Sequence, residues 1–79
     1  MVIKILGPGC KNCVALVENT KAAILELGIE AEIIKVTDFV EIAKYGIMST
    51  PGLVVDEKVM SFGKVLKASE IVNMLKKII

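Results

Sequence analysis

The chain has 79 residues, of which 54% are hydrophobic and only 4% aromatic, so it is expected to form one domain, residues 1–79, around an aliphatic core, which excludes disorder. Its 10 Lys and Arg balance 9 Asp and Glu, with both signs scattered along the chain, so the basic footprint of a nucleic-acid or membrane-surface binder is absent. Charges break every apolar run short of the ~18 residues that a membrane span needs, and the lack of His removes imidazole acid–base chemistry and the commonest transition-metal ligand.

Residues 2–6 read as a short aliphatic strand interrupted only by Lys4 and ended by Gly7-Pro8-Gly9, since Pro offers no backbone donor and Gly reaches φ values that other residues avoid. Over residues 13–27, Leu16, Val17, Thr20, Ala23, Ile24 and Leu27 recur at helical spacing, and Gly28 is the natural residue past the helix end. Residues 29–36 form a second predicted strand. Asp38 followed by Glu41 has the spacing of a capping box and opens a short helix that Gly46 closes. Residues 47–51 are a loop in which Pro51 biases Thr50 towards an extended backbone.

Residues 53–55 and 59–61 flank Asp56-Glu57-Lys58 as an antiparallel hairpin, with Glu57 standing where glycine would turn more easily. Ser69 is expected to cap a last helix whose apolar face is Ile71, Leu75, Ile78 and Ile79. The order β-α-β-α-β-β-α predicts an α/β domain, a right-handed parallel β-α-β unit extended by the hairpin into a mixed sheet covered by helices.

Chemistry points to Cys10-Lys11-Asn12-Cys13. The pair falls where a strand stops and a helix begins. Unpaired amides and the positive end of the helix dipole there stabilise a thiolate at Cys10, and Lys11 adds a nearby positive charge. The spacing of three brings Cys13 one turn round, within reach of a disulfide, so Cys10 is expected to attack and Cys13 to resolve the mixed disulfide. Two other readings use the same residues. The cysteines could simply pack or form a passive disulfide, or they could supply two thiolates of a metal-binding or metal-transfer site that a partner would have to complete. Met1-Val2-Ile3-Lys4 lacks the apolar segment and cleavage site of a secretory signal, which points to the cytoplasm, where such a pair reads as catalytic or metal-binding. Thr50-Pro51 is the second signal, because an X-Pro bond can be held cis for about 0.5–1 kcal/mol.

Gly7-Pro8-Gly9-Cys10-Lys11-Asn12-Cys13, the run from Lys44 through Thr50-Pro51 to Val55, and Gly63-Lys64-Val65 together resemble the thioredoxin-like superfamily, and within it the small microbial redox-active disulfide proteins of glutaredoxin size. The resemblance covers nearly the whole chain. It implies a four-stranded sheet in the order 2-1-3-4, with the first and last helices on one face and the short helix on the other. It also implies that Cys10 attacks, that Cys13 resolves, and that a cis Pro51 lies beside them, with Thr50 pairing its backbone with a bound substrate. Lys11 and Asn12, between the cysteines, join Thr50 and Pro51 as expected substrate contacts. The activity expected is a thiol–disulfide oxidoreductase acting on protein disulfides, supplied with electrons by a reductase and needing neither cofactor nor metal.

The chain departs from that pattern in three places. Gly9 stands where thioredoxins carry a tryptophan. Counting back from Cys10 without gaps, Lys4 falls where they carry a buried acid that assists the resolving thiol. Ser61-Phe62-Gly63-Lys64 replaces the double-glycine and aspartate signature by which glutaredoxins hold glutathione. Lys4 is read as a side chain snorkelling at a strand edge or crevice, Tyr45 as a helix-end residue packed at the groove rim, Met48 and Ser49 as loop residues within reach of a partner, and Met60 and Met74 as core.

Overall fold

A computed structural model of the chain, describing residues 1–9, 11–47 and 49–78, has the predicted element order. It comprises β1 (Val2–Leu6), α1 (Lys11–Leu27), β2 (Glu32–Val36), α2 (Phe39–Lys44), β3 (Gly52–Val55), β4 (Lys58–Phe62) and α3 (Ala68–Lys76). The strands form one mixed sheet in the order β2-β1-β3-β4. β1 runs parallel to β2, with Val2 opposite Glu32, and antiparallel to β3, with Leu6 opposite Gly52. This is the expected minimal thioredoxin-like architecture.

Alternation along the strands sorts the core into two unequal clusters, because successive side chains of a strand point to opposite faces. Ile3, Ile5, Leu53 and Val55 meet Leu16 and Val17 of α1 and Ile71, Val72 and Leu75 of α3 in the larger one. On the opposite face Leu6 and Val54 meet Ile42 of α2, with Val36, Tyr45 and Ile47 packed at the margin. The first and last helices therefore share one face of the sheet and the short helix takes the other. Among the described residues no helix is long and apolar enough to cross a membrane.

The starts of β2 and α3 differ from expectation, each for a local physical reason. β2 begins at Glu32, not at residue 29. Gly28 turns left-handed at φ 65°; its amide donates to the Leu25 carbonyl at 3.2 Å and the Ile29 amide donates to the Ile24 carbonyl at 3.4 Å. This is the double hydrogen bond of a Schellman stop. It keeps Ile29 on the end of α1, where Ile24 and Ile29 both pack against the larger cluster.

α3 is capped at Lys67, not at Ser69, which lies inside its first turn. Glu70 Oε1 accepts from the Lys67 amide at 3.2 Å, and Leu66 and Ile71, flanking that turn, are both buried in the larger cluster, a hydrophobic staple that sets the entry point. The buried face of α3 is Ile71, Val72 and Leu75, while Ile78 is 47% exposed and Ile79 lies outside the described residues. At α2 the expected cap holds: Asp38 Oδ1 accepts from the Val40 amide at 2.9 Å. Glu41 is engaged by Lys44 Nζ at 3.1 Å.

The β3–β4 turn carries non-glycine residues at two left-handed positions, Asp56 at φ 48° and Glu57 at φ 70°, as a type I′ hairpin requires. Asp56 uses both its groups: its amide donates to the Val2 carbonyl at 2.8 Å and its Oδ1 accepts from the Val2 amide at 2.9 Å. β4 bulges by one residue, Met60, between the pairs Leu53 with Ser61 and Val54 with Val59.

Candidate redox site at the start of helix α1

β1 ends where its backbone must leave the sheet and feed α1, and Gly7 makes the junction. Its amide donates to the Val36 carbonyl at 2.8 Å, so it remains tied to β2. It is buried, and a side chain there would collide with Cys13 Sγ. The same methyl group would stand 3.8 Å from Thr50 Cβ. Gly7 thus separates Cys13, in the first turn of α1, from Thr50 in the loop before β3. Residues 37 and 43 positions apart in sequence are brought to one point because Leu6 pairs with Gly52.

Cys13 is 4% exposed and borders a cavity of about 60 Å³ with Ile5, Gly7, Val17, Lys35 and Thr37. Lys11 and Asn12, which open α1, are exposed. No acidic residue lies in the first turn of α1, so no carboxylate of that turn offsets the positive end of the helix dipole. Cys10 and Met48 lie outside the described residues.

The Thr50–Pro51 peptide is cis. Pro51 is buried and Thr50 half-buried, and the Pro51 carbonyl accepts from the Gly63 amide at 2.9 Å. Beside Thr50 a groove of about 260 Å³ runs along α2, lined by Phe39, Ile42, Ala43, Ile47, Ser49 and Thr50. Phe39, two-thirds exposed, was not singled out in the sequence; the available signal was its position directly after the Asp38 cap, where the first turn of a short helix leaves a large side chain uncovered.

Lys4 is not among the residues that border the cavity at Cys13. Alternation along β1 turns Ile5 towards the cavity at Cys13, whereas Lys4 extends on the α2 face. Its Nζ donates to the Tyr45 hydroxyl at 2.9 Å and to Glu57 Oε1 at 2.5 Å, and the Tyr45 hydroxyl donates to Glu57 Oε2 at 3.1 Å. The hydrogen bond to Glu57 raises the Lys4 ammonium above its ordinary range, and the Lys4 hydrogen bond lowers the Glu57 carboxyl. Lys4 is half-buried, as a snorkelling side chain would be, but its head is held by two residues and does not simply reach for water. Among the described residues no three Cys, Asp or Glu side chains are grouped to hold a metal ion.

Residues 1–76 match a family model described as a thioredoxin domain. The chain is 46% identical over 76 residues to a thioredoxin of Methanocaldococcus jannaschii, a match covering 96% of this chain and 87% of that protein. It is 40% identical over 75 residues to a thioredoxin of Methanothermobacter thermautotrophicus, covering 95% of this chain and 97% of that one.

Proposed function

Because the chain belongs to the thioredoxin family, we propose that it is a thiol–disulfide oxidoreductase whose working pair is Cys10 and Cys13 and whose substrates are protein disulfides. The observation that carries this reading is the convergence at Gly7 of Cys13, the start of α1 and the Thr50–Pro51 loop.

In the reducing half-cycle the Cys10 thiolate, favoured by the amides and dipole at the head of α1, attacks one sulfur of a substrate disulfide. A Cys10–substrate bond forms and the first substrate thiolate leaves, taking a proton. The Cys13 thiol loses its proton and its sulfur attacks Cys10 Sγ, so that the second substrate thiolate leaves and is protonated. Two electrons and two protons have then passed to the substrate, and the protein holds a Cys10–Cys13 disulfide that a reductase returns to the dithiol in the cytoplasm. Lys11 and Asn12 face the approaching chain, the backbone of Thr50 pairs with it beside Pro51, and the groove along α2 receives its flanking residues.

The test is a titration of the purified protein against a thiol/disulfide buffer, counting free thiols and bound metal together. A reversible two-electron couple in metal-free protein, abolished by Cys10→Ser, is expected. Stoichiometric zinc or copper without an accessible couple would instead establish the metal-binding alternative. Alkylation orders the thiols: Cys10 reacts before Cys13 at neutral pH, and the reverse order would exchange their roles.

A further inference from the structure

Lys4, Tyr45 and Glu57 come from three separate elements, β1, the end of α2 and the β3–β4 turn, and their polar atoms close a ring of three contacts at 2.9, 2.5 and 3.1 Å. A buried strand of aliphatic residues has no need of a lysine, and a two-residue hairpin is easier with glycine at its second position. Here both preferences are overridden in favour of one contact. A strained backbone at a residue whose side chain makes a specific long-range bond points to a role for that bond.

Tyr45 is the residue from which the loop to Pro51 departs. From there the loop is held at alternate positions. Ile47 packs with Leu6 and Val54 and closes over Gly52, where any side chain would strike Ile47 Cδ1 at 2.7 Å. Ser49 abuts Gly63, whose added methyl would stand 3.1 Å from Ser49 Cβ, and the Pro51 carbonyl is bound by the Gly63 amide. Apolar packing leaves a segment some freedom to slide, whereas the phenol oxygen of Tyr45, caught between an ammonium and a carboxylate, has one place to be.

We propose that Lys4, Tyr45 and Glu57 form a clamp that positions Ile47 and the stretch from Ser49 to Pro51 for docking of a protein disulfide, so that all three are positioning residues for substrate binding rather than parts of the thiol chemistry. The inference rests on the oxidoreductase reading above. Its chemical sense follows from where the clamp acts. It lies on the α2 face, away from the Ile5 side of β1 that borders Cys13, so it can change how a substrate backbone is received without changing the thiols. A docking loop held in place before binding spares the ordering cost at the moment of association.

The experiment compares two electron acceptors: insulin, turned over under saturating dithiothreitol, whose disulfides must be docked, and 5,5′-dithiobis(2-nitrobenzoate), offered in a single turnover to pre-reduced protein freed of dithiothreitol, a small disulfide that needs no backbone partner. Tyr45→Phe keeps the ring in its cluster and deletes only the hydroxyl; Lys4→Met removes the cation. Both variants are expected to raise KM for insulin about fivefold with kcat held, while the rate with the small disulfide and the reduction potential stay at the parent values. Lys4→Arg, which retains a cation with several donors, restores KM. An unchanged KM for insulin in Tyr45→Phe, or equal losses on both acceptors, overturns the clamp's role in docking while leaving the oxidoreductase intact. A parent protein that reduces neither acceptor overturns the oxidoreductase and the docking role together.

Discussion

Gly7→Ala tests most directly the packing on which the site depends. The added methyl group would overlap Cys13 Sγ and stand 3.4 Å from Cys13 Cβ and 3.8 Å from Thr50 Cβ. Its cheapest relief is a turn about χ1 of Cys13 that swings the sulfur off Gly7 and into the neighbouring cavity of about 60 Å³. That escape puts the cost in the lower half of the range for overpacking, about 1–2 kcal/mol, or about 4–16 °C in Tm for a domain of this size. The sulfur then sits an ångström or more from its place, and a displacement of that order slows a positioned reaction by up to about 100-fold.

Gly9→Ala supplies the control. Nothing lies within 4 Å of a side chain there, but φ is +91°, so it costs about 1–2 kcal/mol through the backbone alone and leaves Cys13 where it is. Thermal unfolding of the reduced proteins gives the stabilities, and alkylation by iodoacetamide, followed site by site by mass spectrometry, reports the environment of Cys13. Gly7→Ala is expected to change the alkylation rate of Cys13 and Gly9→Ala to leave it at the parent value. If both variants lose stability equally and Cys13 alkylates at the parent rate in both, Gly7 does not hold the sulfur in place and the reasoning fails.

Leu16, fully buried between the sheet and α3, is expected to cost about 2–5 kcal/mol on truncation to Ala, much of the roughly 5–10 kcal/mol available to a domain this small; urea unfolding measures it, and a loss under about 1 kcal/mol would place the core elsewhere. The pH dependence of stability follows from Glu57 and Lys4. The Glu57 carboxyl is lowered on folding, so its contribution is present above the ordinary carboxylate range and is lost as pH falls through the lowered folded value. Lys4 is raised, so its contribution is present below the ordinary lysine range and disappears as pH rises through the raised folded value. Glu57→Gln is therefore expected to flatten both limbs of a Tm-against-pH curve, and a curve parallel to that of the parent would show that the pair is not felt in solution.

The parts of the fold legible in the chain were those written in local punctuation. Gly7-Pro8-Gly9 ending a strand, Gly28 ending α1 and Asp38 opening α2 each act within a few residues, and each is found at the expected place. Misjudged ends arose where two local signals competed. Ile29 looks like the first residue of a strand, but the Schellman hydrogen bonds claim it for the helix end. Ser69 is a better cap than Lys67 in isolation, yet burial of Leu66 fixes the start of α3 before it. At the site, the meeting of Cys13 with Thr50 followed from the strand order. The partners of Lys4, 41 and 53 residues away, carry no periodicity that a reader of the chain could detect.

The two clusters either side of the sheet also bear on how such a protein can diversify. α2 has six residues and buries only Ile42, while α1 and α3 share the deeper cluster on the other face. Most of the free energy of folding is thus invested opposite the groove that would meet a partner. Substitutions at Phe39 or Ala43, both exposed on α2 and lining that groove, can reshape it at little expense in stability, so the taste of the protein for its substrates can drift while its architecture stands still.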